Sequence, residues 1–257
     1  MSEDVCLDSS DDAIWTITLN RPQAMNAITM SMAARMQEIL ADVATDKNAR
    51  CLIITGAGDE AFSAGFDIKE MADFDTNAMR NAFVQRDPLF KAIALHPLPV
   101  IAAVNGKAFG AGALLAAASD FRIASTNAEF KVTAINYGSA NATWSLPSIV
   151  GPALAKQILM TGITVTASDG LSNGLFDQLV EPRELLECAR QLAVSIAEKP
   201  KEAIKAVKTL VGNAQQLTIA DAWQAEHDHV LSQLGKGSQR GDEVFAKFLG
   251  KDKADPD

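Results

Sequence analysis

With 257 residues, 48% of them hydrophobic, the chain is long enough to bury one substantial core. A net charge of -9 excludes a surface built to neutralise nucleic-acid phosphates or anionic lipid, so an anionic ligand has to be met by local features. Cys6, Cys51 and Cys188 are far apart and lack CxxC spacing, which points to reduced thiols rather than a disulfide framework or a zinc site.

The acidic start, MSEDVCLDSSDD, has no apolar stretch of the secretory type, and cytoplasm is the expected compartment. From Ala13 to Leu19 apolar and polar residues alternate as in a half-buried strand. Thr29 is placed to cap a helix over 30–43, in which Met32, Met36, Ile39, Leu40 and Val43 share one face. Cys51–Thr55 reads as a buried strand, and Pro99–Val104, Ala111–Ala118 and Asp120–Ala124 repeat the strand, helix, strand order. The apolar run from Leu98 to Ala118 is broken at Asn105, Gly106 and Lys107, so no membrane span is expected. Beyond Gly151 helical periodicity dominates, over 152–160, 183–197, 201–211, 219–234 and 241–249, with breaks expected at Gly162, Gly174, Pro200 and Gly212.

Two loops carry small residues where a backbone must approach a ligand. In AFSAGFDIKEM (Ala61–Met71), Gly65 permits an unusual turn and Asp67 can cap a short helix beginning at Ile68, which leaves the amides around Phe66 pointing outward. In VNGKAFGAGALL (Val104–Leu115), Gly106, Gly110 and Gly112 open a helix whose first N–H groups lack intrahelical partners and attract negative charge. Neither loop is a P-loop or a GxGxxG fingerprint. His227 and His229, two apart on one helix, cannot share a face for a metal, and His96 precedes a proline, so no metal centre is expected.

Together, AFSAGFDIKEM and PVIAAVNGKAFGAGALLAAASDFRIAS closely resemble the two signature segments of the crotonase, or enoyl-CoA hydratase/isomerase, superfamily. RPQAMNAI, SLPSIVG and FAKFLGK also look like segments of that family, so the resemblance covers nearly the whole chain. It implies an α/β fold of the ClpP/crotonase type: a spiral of ββα repeats over 1–195, then a helical region over 196–257 for packing and assembly as a homotrimer or a dimer of trimers. It implies an acyl-coenzyme A thioester as substrate, with no separate cofactor and no nucleic-acid or membrane partner. By similarity the oxyanion-hole amides map to Phe66 and Ala111, where losing one donor typically costs about 3 to 4 kcal/mol in barrier. Also by similarity, Gln23, Ala24, Ala64, Gly65, Asp67, Ile68 and Gly110 would lie along the coenzyme A arm, with Phe248 and Lys251 near its adenine and phosphates.

The resemblance fails at the two hydratase glutamates. Leu114 stands where the first is expected and Ala134 where the second is, both apolar. Each general acid or base is worth a factor of about 10² to 10⁴, so efficient hydration is not expected. Tyr137, Asn141 and Trp144 fall in the segment that lines the acyl pocket in relatives, and either shape that pocket or serve ordinary packing. Asp67 and Glu70 fit capping or ion pairing better than catalysis, and Asp120 fits a structural role. Three readings stay open: an enzyme of the hydratase/isomerase type that stabilises an enolate or oxyanion, a malonyl-type thioester decarboxylase, and a non-catalytic acyl-CoA-binding subunit.

Overall fold

The computed structural model describes residues 3–11 and 13–234. The helix expected over 241–249, together with Phe248 and Lys251, lies outside the described residues.

The chain opens with an antiparallel pair, β1 (Val5–Asp11) and β2 (Ile14–Leu19). Helix α1 (Met30–Thr45) then carries it to β3 (Cys51–Gly56), parallel to β2. Thr29 caps α1, its hydroxyl accepting from Met32 N, and the predicted apolar stripe is buried. Each following turn adds one strand to each of two sheets. Strands β3 and β4 (Ala61–Ser63) precede α2 (Ile68–Met71), α3 (Thr76–Arg86) and α4 (Pro88–Ala94). Strands β5 (Val100–Val104) and β6 (Lys107–Phe109) precede α5 (Ala111–Ala118). Strands β7 (Phe121–Ser125) and β8 (Glu129–Lys131) lead to α6 (Leu146–Val150) and α7 (Pro152–Thr161). The last turn runs β9 (Val165–Thr166), α8 (Ala167–Ser172), β10 (Gln178–Val180) and α9 (Leu185–Ala197). The resulting sheets are ordered β1-β2-β3-β5-β7-β10 and β4-β6-β8-β9, which is a spiral of strand, strand, helix units.

Period-2 side chains on the larger sheet divide the core. Leu52, Ile54, Val100, Ala102 and Val104 face α1, α4 and α5, while Ile14, Ile53, Ile101, Ala103 and Ile123 face Leu185, Ala189 and Ala193 of α9. Each fully buried Leu or Ile contributes about 1.5–3 kcal/mol relative to exposure. All eight residues of α5 are buried, so this short alanine-rich helix sits inside the spiral, with Gly112 of its first turn against Ser63 of β4.

The compact unit that holds both sheets runs through Lys205, whose helix α10 (Lys201–Ala214) continues into a second unit with α11 (Ile219–Leu234). Gly212 does not end α10 as the sequence suggests; a glycine near a helix end costs about 1 kcal/mol and is tolerated here, with two further residues in the helix. In the second unit Trp223 stacks on His227 at 4.8 Å, as residues one turn apart do, and Val207, Val211, Trp223 and Val230 are exposed. Among the described residues no helix is long and apolar enough to cross a membrane.

Candidate active site

The loop after β4 is held from behind by the chain around Ile28. Ile28 N–H donates to Gly65 O at 2.8 Å, and Asp67 N–H donates to Ile28 O at 2.9 Å. The intervening Phe66 N–H faces the opposite side and has no hydrogen-bond partner among the described residues. Asn26, fully buried with φ +53, fixes this support: its Nδ2 donates to Ala57 O and Ala61 O at 3.0 and 2.7 Å, and its Oδ1 accepts from Arg21 N. Arg21 Nη1 donates to Asp67 Oδ2 at 2.9 Å, while Asp67 Oδ1 accepts from Lys69 N and Glu70 N at the start of α2. Led by the Arg21 hydrogen bond, these contacts outweigh burial and hold the Asp67 carboxyl below its ordinary range. Asp67 is therefore a fastener of this loop and a poor proton acceptor.

The second loop leads from β6 through Gly110, φ +51, into α5. Gly110 N–H donates to Lys131 O at 2.9 Å and its carbonyl accepts from Leu114 N, whereas the N–H of Ala111, at the first helical position, has no partner among the described residues. The two loops touch backbone to backbone. Gly65 has φ +106, and a Cβ placed on it would lie 3.2 Å from Ala111 N and 3.0 Å from Phe109 O. Gly112 allows the approach, since a Cβ there would fall 2.3 Å from Ser63 O. Two unpaired N–H groups, Phe66 and Ala111, thus flank one small corner. On its far side stands Thr133, whose Oγ1 would lie 3.1 Å from a Cβ on Gly110.

A cavity of about 180 Å³ is lined by Leu114 of α5, by Phe90, Asp87 and Lys91, and by the stretch from Ala140 to Trp144. Leu114 is one helical turn from Ala111, about 5 Å along α5. Phe90 also meets the Phe66 ring edge to face, with centroids 6.0 Å apart. Above that ring lies the Arg86 guanidinium, 3.7 Å from the centroid, with Arg86 only 3% exposed. Arg86 Nη1 donates to Met71 Sδ, and Arg86 Nε, without a hydrogen-bond partner among the described residues, lies 3.6 Å from Asp87 Oδ1. Burial pulls the Arg86 pKa below its ordinary value, with Asp87 opposing.

Of the predicted pocket residues, the structure brings Leu114, Asn141 and Trp144 to this cavity. It does not bring Ala134 or Tyr137 there. Both belong to a 3-10 turn that ends in Gly138, φ +70; Ala134 packs partly on the core, and the turn leaves Tyr137 79% exposed. Gln23 and Ala24 form another 3-10 turn, brought beside Ala64 by the Ala64 N–H bond to Met25 O, and Ile68 is exposed at the start of α2. Asp120 Oδ2 accepts from Val100 N, and His96 is buried against Leu40 O and Leu98. Asp87, Phe90 and Lys91 were not singled out from the sequence. An Asp-Pro pair signals a helix start, and nothing local in the sequence announces that this helix faces Asn141 and Trp144.

A spiral of this kind, with two glycine-led corners meeting at the start of a buried helix, is the crotonase fold. It superposes on the crystal structure of enoyl-CoA hydratase from Bacillus anthracis with a TM-score of 0.90 at 28% identity, over 97% of each chain. The chain belongs to the enoyl-CoA hydratase/isomerase family, whose model matches residues 9–255. It is 34% identical over 255 residues to the crotonyl-CoA hydratase of Syntrophomonas wolfei subsp. wolfei, covering 98% of this chain and 97% of that one. It is also 34% identical over 218 residues to the short-chain-enoyl-CoA hydratase of Clostridium acetobutylicum, covering 84% of each.

Proposed function

We propose that the chain binds an acyl-CoA thioester with the carbonyl oxygen at the Phe66 and Ala111 N–H groups and stabilises the enolate or tetrahedral oxyanion that forms there. The observation that carries this reading is the close approach of the Gly65 backbone to Ala111 N, with both N–H groups unpaired. Donors fixed in advance by Ile28 and Lys131 need no reorganisation as charge develops on the oxygen, which is where such sites gain their rate. The arm of coenzyme A would run past Gln23, Ala24 and Ala64, and the acyl group would enter the cavity at Leu114. The exposed apolar residues of α10 and α11 suit self-assembly as a trimer or dimer of trimers.

With Leu114 and Ala134 in place of the two glutamates, hydration of crotonyl-CoA is slow in this reading. A second reading, decarboxylation of a malonyl-type thioester, draws on Lys91, whose ammonium would hold the substrate carboxylate in the same cavity until it leaves as neutral carbon dioxide, its C–C electron pair passing to the enolate. Purified protein offered crotonyl-CoA, a 3-enoyl-CoA and methylmalonyl-CoA, with products followed by mass spectrometry, separates these. Rapid hydration of crotonyl-CoA would show the assignment of Leu114 and Ala134 to be wrong, loss of carbon dioxide would select the second reading, and binding without turnover would leave a carrier subunit.

A further inference from the structure

We infer that Asp87 is the carboxylate that takes a proton from the acyl chain of the bound thioester and returns it, from a position in the fold distinct from Leu114 and Ala134. The inference rests on the thioester reading above. Asp87 is the one carboxylate among the described residues that line the cavity.

Its local conformation frees it for that work. Asp87 precedes α4 at the N-cap, where an aspartate ordinarily turns back to accept from the first N–H groups of the helix. Here its backbone is already helical, φ -64 and ψ -29, between α3 and Pro88, and its side chain makes no cap hydrogen bond. Its ion pair with Arg86 Nε, at 3.6 Å, is too long for a hydrogen bond. About half of the side chain stays accessible. A half-exposed carboxylate held only by this long contact, at a cavity whose other lining residues include Phe90, Leu114, Ala142 and Trp144, is available to a substrate. Partial burial pushes its carboxyl above the ordinary range, with the charge and polar contact of Arg86 pulling the other way.

The chemistry balances with the groups present. An Asp87 oxygen takes a proton from the carbon next to the thioester carbonyl; the C–H electron pair becomes the C=C bond of the enolate, and the carbonyl π pair moves to the oxygen facing Phe66 and Ala111. Return of the proton to the same carbon regenerates the thioester, and return to the far end of a conjugated enolate moves a double bond. One carboxylate is enough for either outcome, and no oxidant, metal or added water is required. Phe90, shared by the Phe66 ring and the cavity wall, ties the two ends of this path together.

The test uses butyryl-CoA in deuterium oxide, because a saturated thioester can show only proton removal and return. Deuterium uptake is read by mass spectrometry and binding by calorimetry, for the native chain and for Asp87→Asn and Asp87→Glu. We expect uptake with the native chain, a loss of about 10² to 10⁴-fold in Asp87→Asn with binding retained, and partial uptake in Asp87→Glu. Equal uptake in Asp87→Asn overturns the inference, as does native protein that binds butyryl-CoA without exchange. Failure of the native chain to bind butyryl-CoA overturns the thioester reading itself. If Asp87→Asn unfolds, the partial uptake of Asp87→Glu carries the test, and native-level uptake in a folded Asp87→Ala overturns the inference.

Discussion

At the corner where Gly65 meets Ala111 the polar groups are main-chain N–H groups, whereas the cavity at Leu114 is lined by polar residues, Asp87 just before α4, Lys91 within it, and Asn141 and Thr143 from the chain after Gly138. The corner is held by backbone bonds, Ile28 to the first loop and Lys131 to the second, so most substitutions at Phe66 or Ala111 leave its donors in place. The cavity has no such protection, and one side chain can change what it does. On the proposed reading, the corner would supply charge stabilisation whatever its side chains, and the cavity would decide which bond is made or broken.

The sharpest way to break the corner is to remove a donor. Ala111→Pro does so at the first position of α5, where proline is tolerated, and also sets a ring carbon where the oxygen would lie. We expect kcat/KM on any turned-over thioester to fall by about 10² to 10³-fold, at least 3 kcal/mol or so, with little change in thermal midpoint. Steady-state rates and a melting curve check both parts; an unchanged rate would mean that the charge develops elsewhere.

Next in size is a gain in the cavity. Leu114→Glu combined with Ala134→Glu places carboxylates at the two positions that the family resemblance assigns to the hydratase glutamates, and on the proposed reading crotonyl-CoA hydration, followed by loss of the enoyl absorbance, is expected to rise by about 10²-fold. Leu114 lines the cavity and Ala134 does not, so Leu114→Glu alone is expected to give most of the gain. No gain in either variant would show that the double bond does not reach Leu114.

A third substitution separates the corner from its scaffold. Asn26→Ala leaves the carbonyl of Ala57 and the N–H of Arg21 without their partner, leaves Ala61 O only the longer bond from Asn105 Nδ2 at 3.3 Å, and puts alanine at φ +53. We expect a stability loss of about 2 to 3 kcal/mol in denaturant titration. Activity per folded molecule should fall too, because Asn26 sits behind the strand that ends at Ser63.

These three sites differ in how far the sequence exposed them. The Gly65 and Ala111 corner was legible because a backbone site must be written in glycines and helix starts, which are local signals. Helices α1 and α11 and strand β2 were legible from periodicity within one segment, and β3, β5 and α5 from continuous apolar runs ended by glycine or a polar residue. Strands β4, β6 and β8, three residues each, are too short to show a period, and β1 was hidden because VCLDSSD is an edge strand with an acidic, solvent-facing half. Asn26 and Asp87 were illegible for a different reason. Their roles depend on partners in other segments, Ala61 for the first and the Ala140–Trp144 stretch for the second, and adjacency across a spiral is not a property of any one stretch of chain.

The smallest expected effect concerns the fastener of the first loop, and it is a matter of pH. Asp67 is held below its ordinary pKa of 3.8 first by the Arg21 hydrogen bond, so its ionised form favours the folded chain. A depressed carboxyl contributes its full stabilisation above the ordinary value and loses it as pH falls through the lower folded value. The pair is partly exposed, with 18% and 12% of the two side-chain surfaces accessible, which limits the contribution to about 1 kcal/mol. Asp67→Asn should therefore lower stability by about that amount at pH 7, with the difference from the native chain shrinking below pH 4 or so as the native Asp67 takes up its proton. Urea titrations of both chains across that range measure it. A gap that persisted in acid would mean that the loss in Asp67→Asn does not come from the charge of the carboxylate, since an asparagine oxygen can still accept the Lys69 and Glu70 N–H bonds.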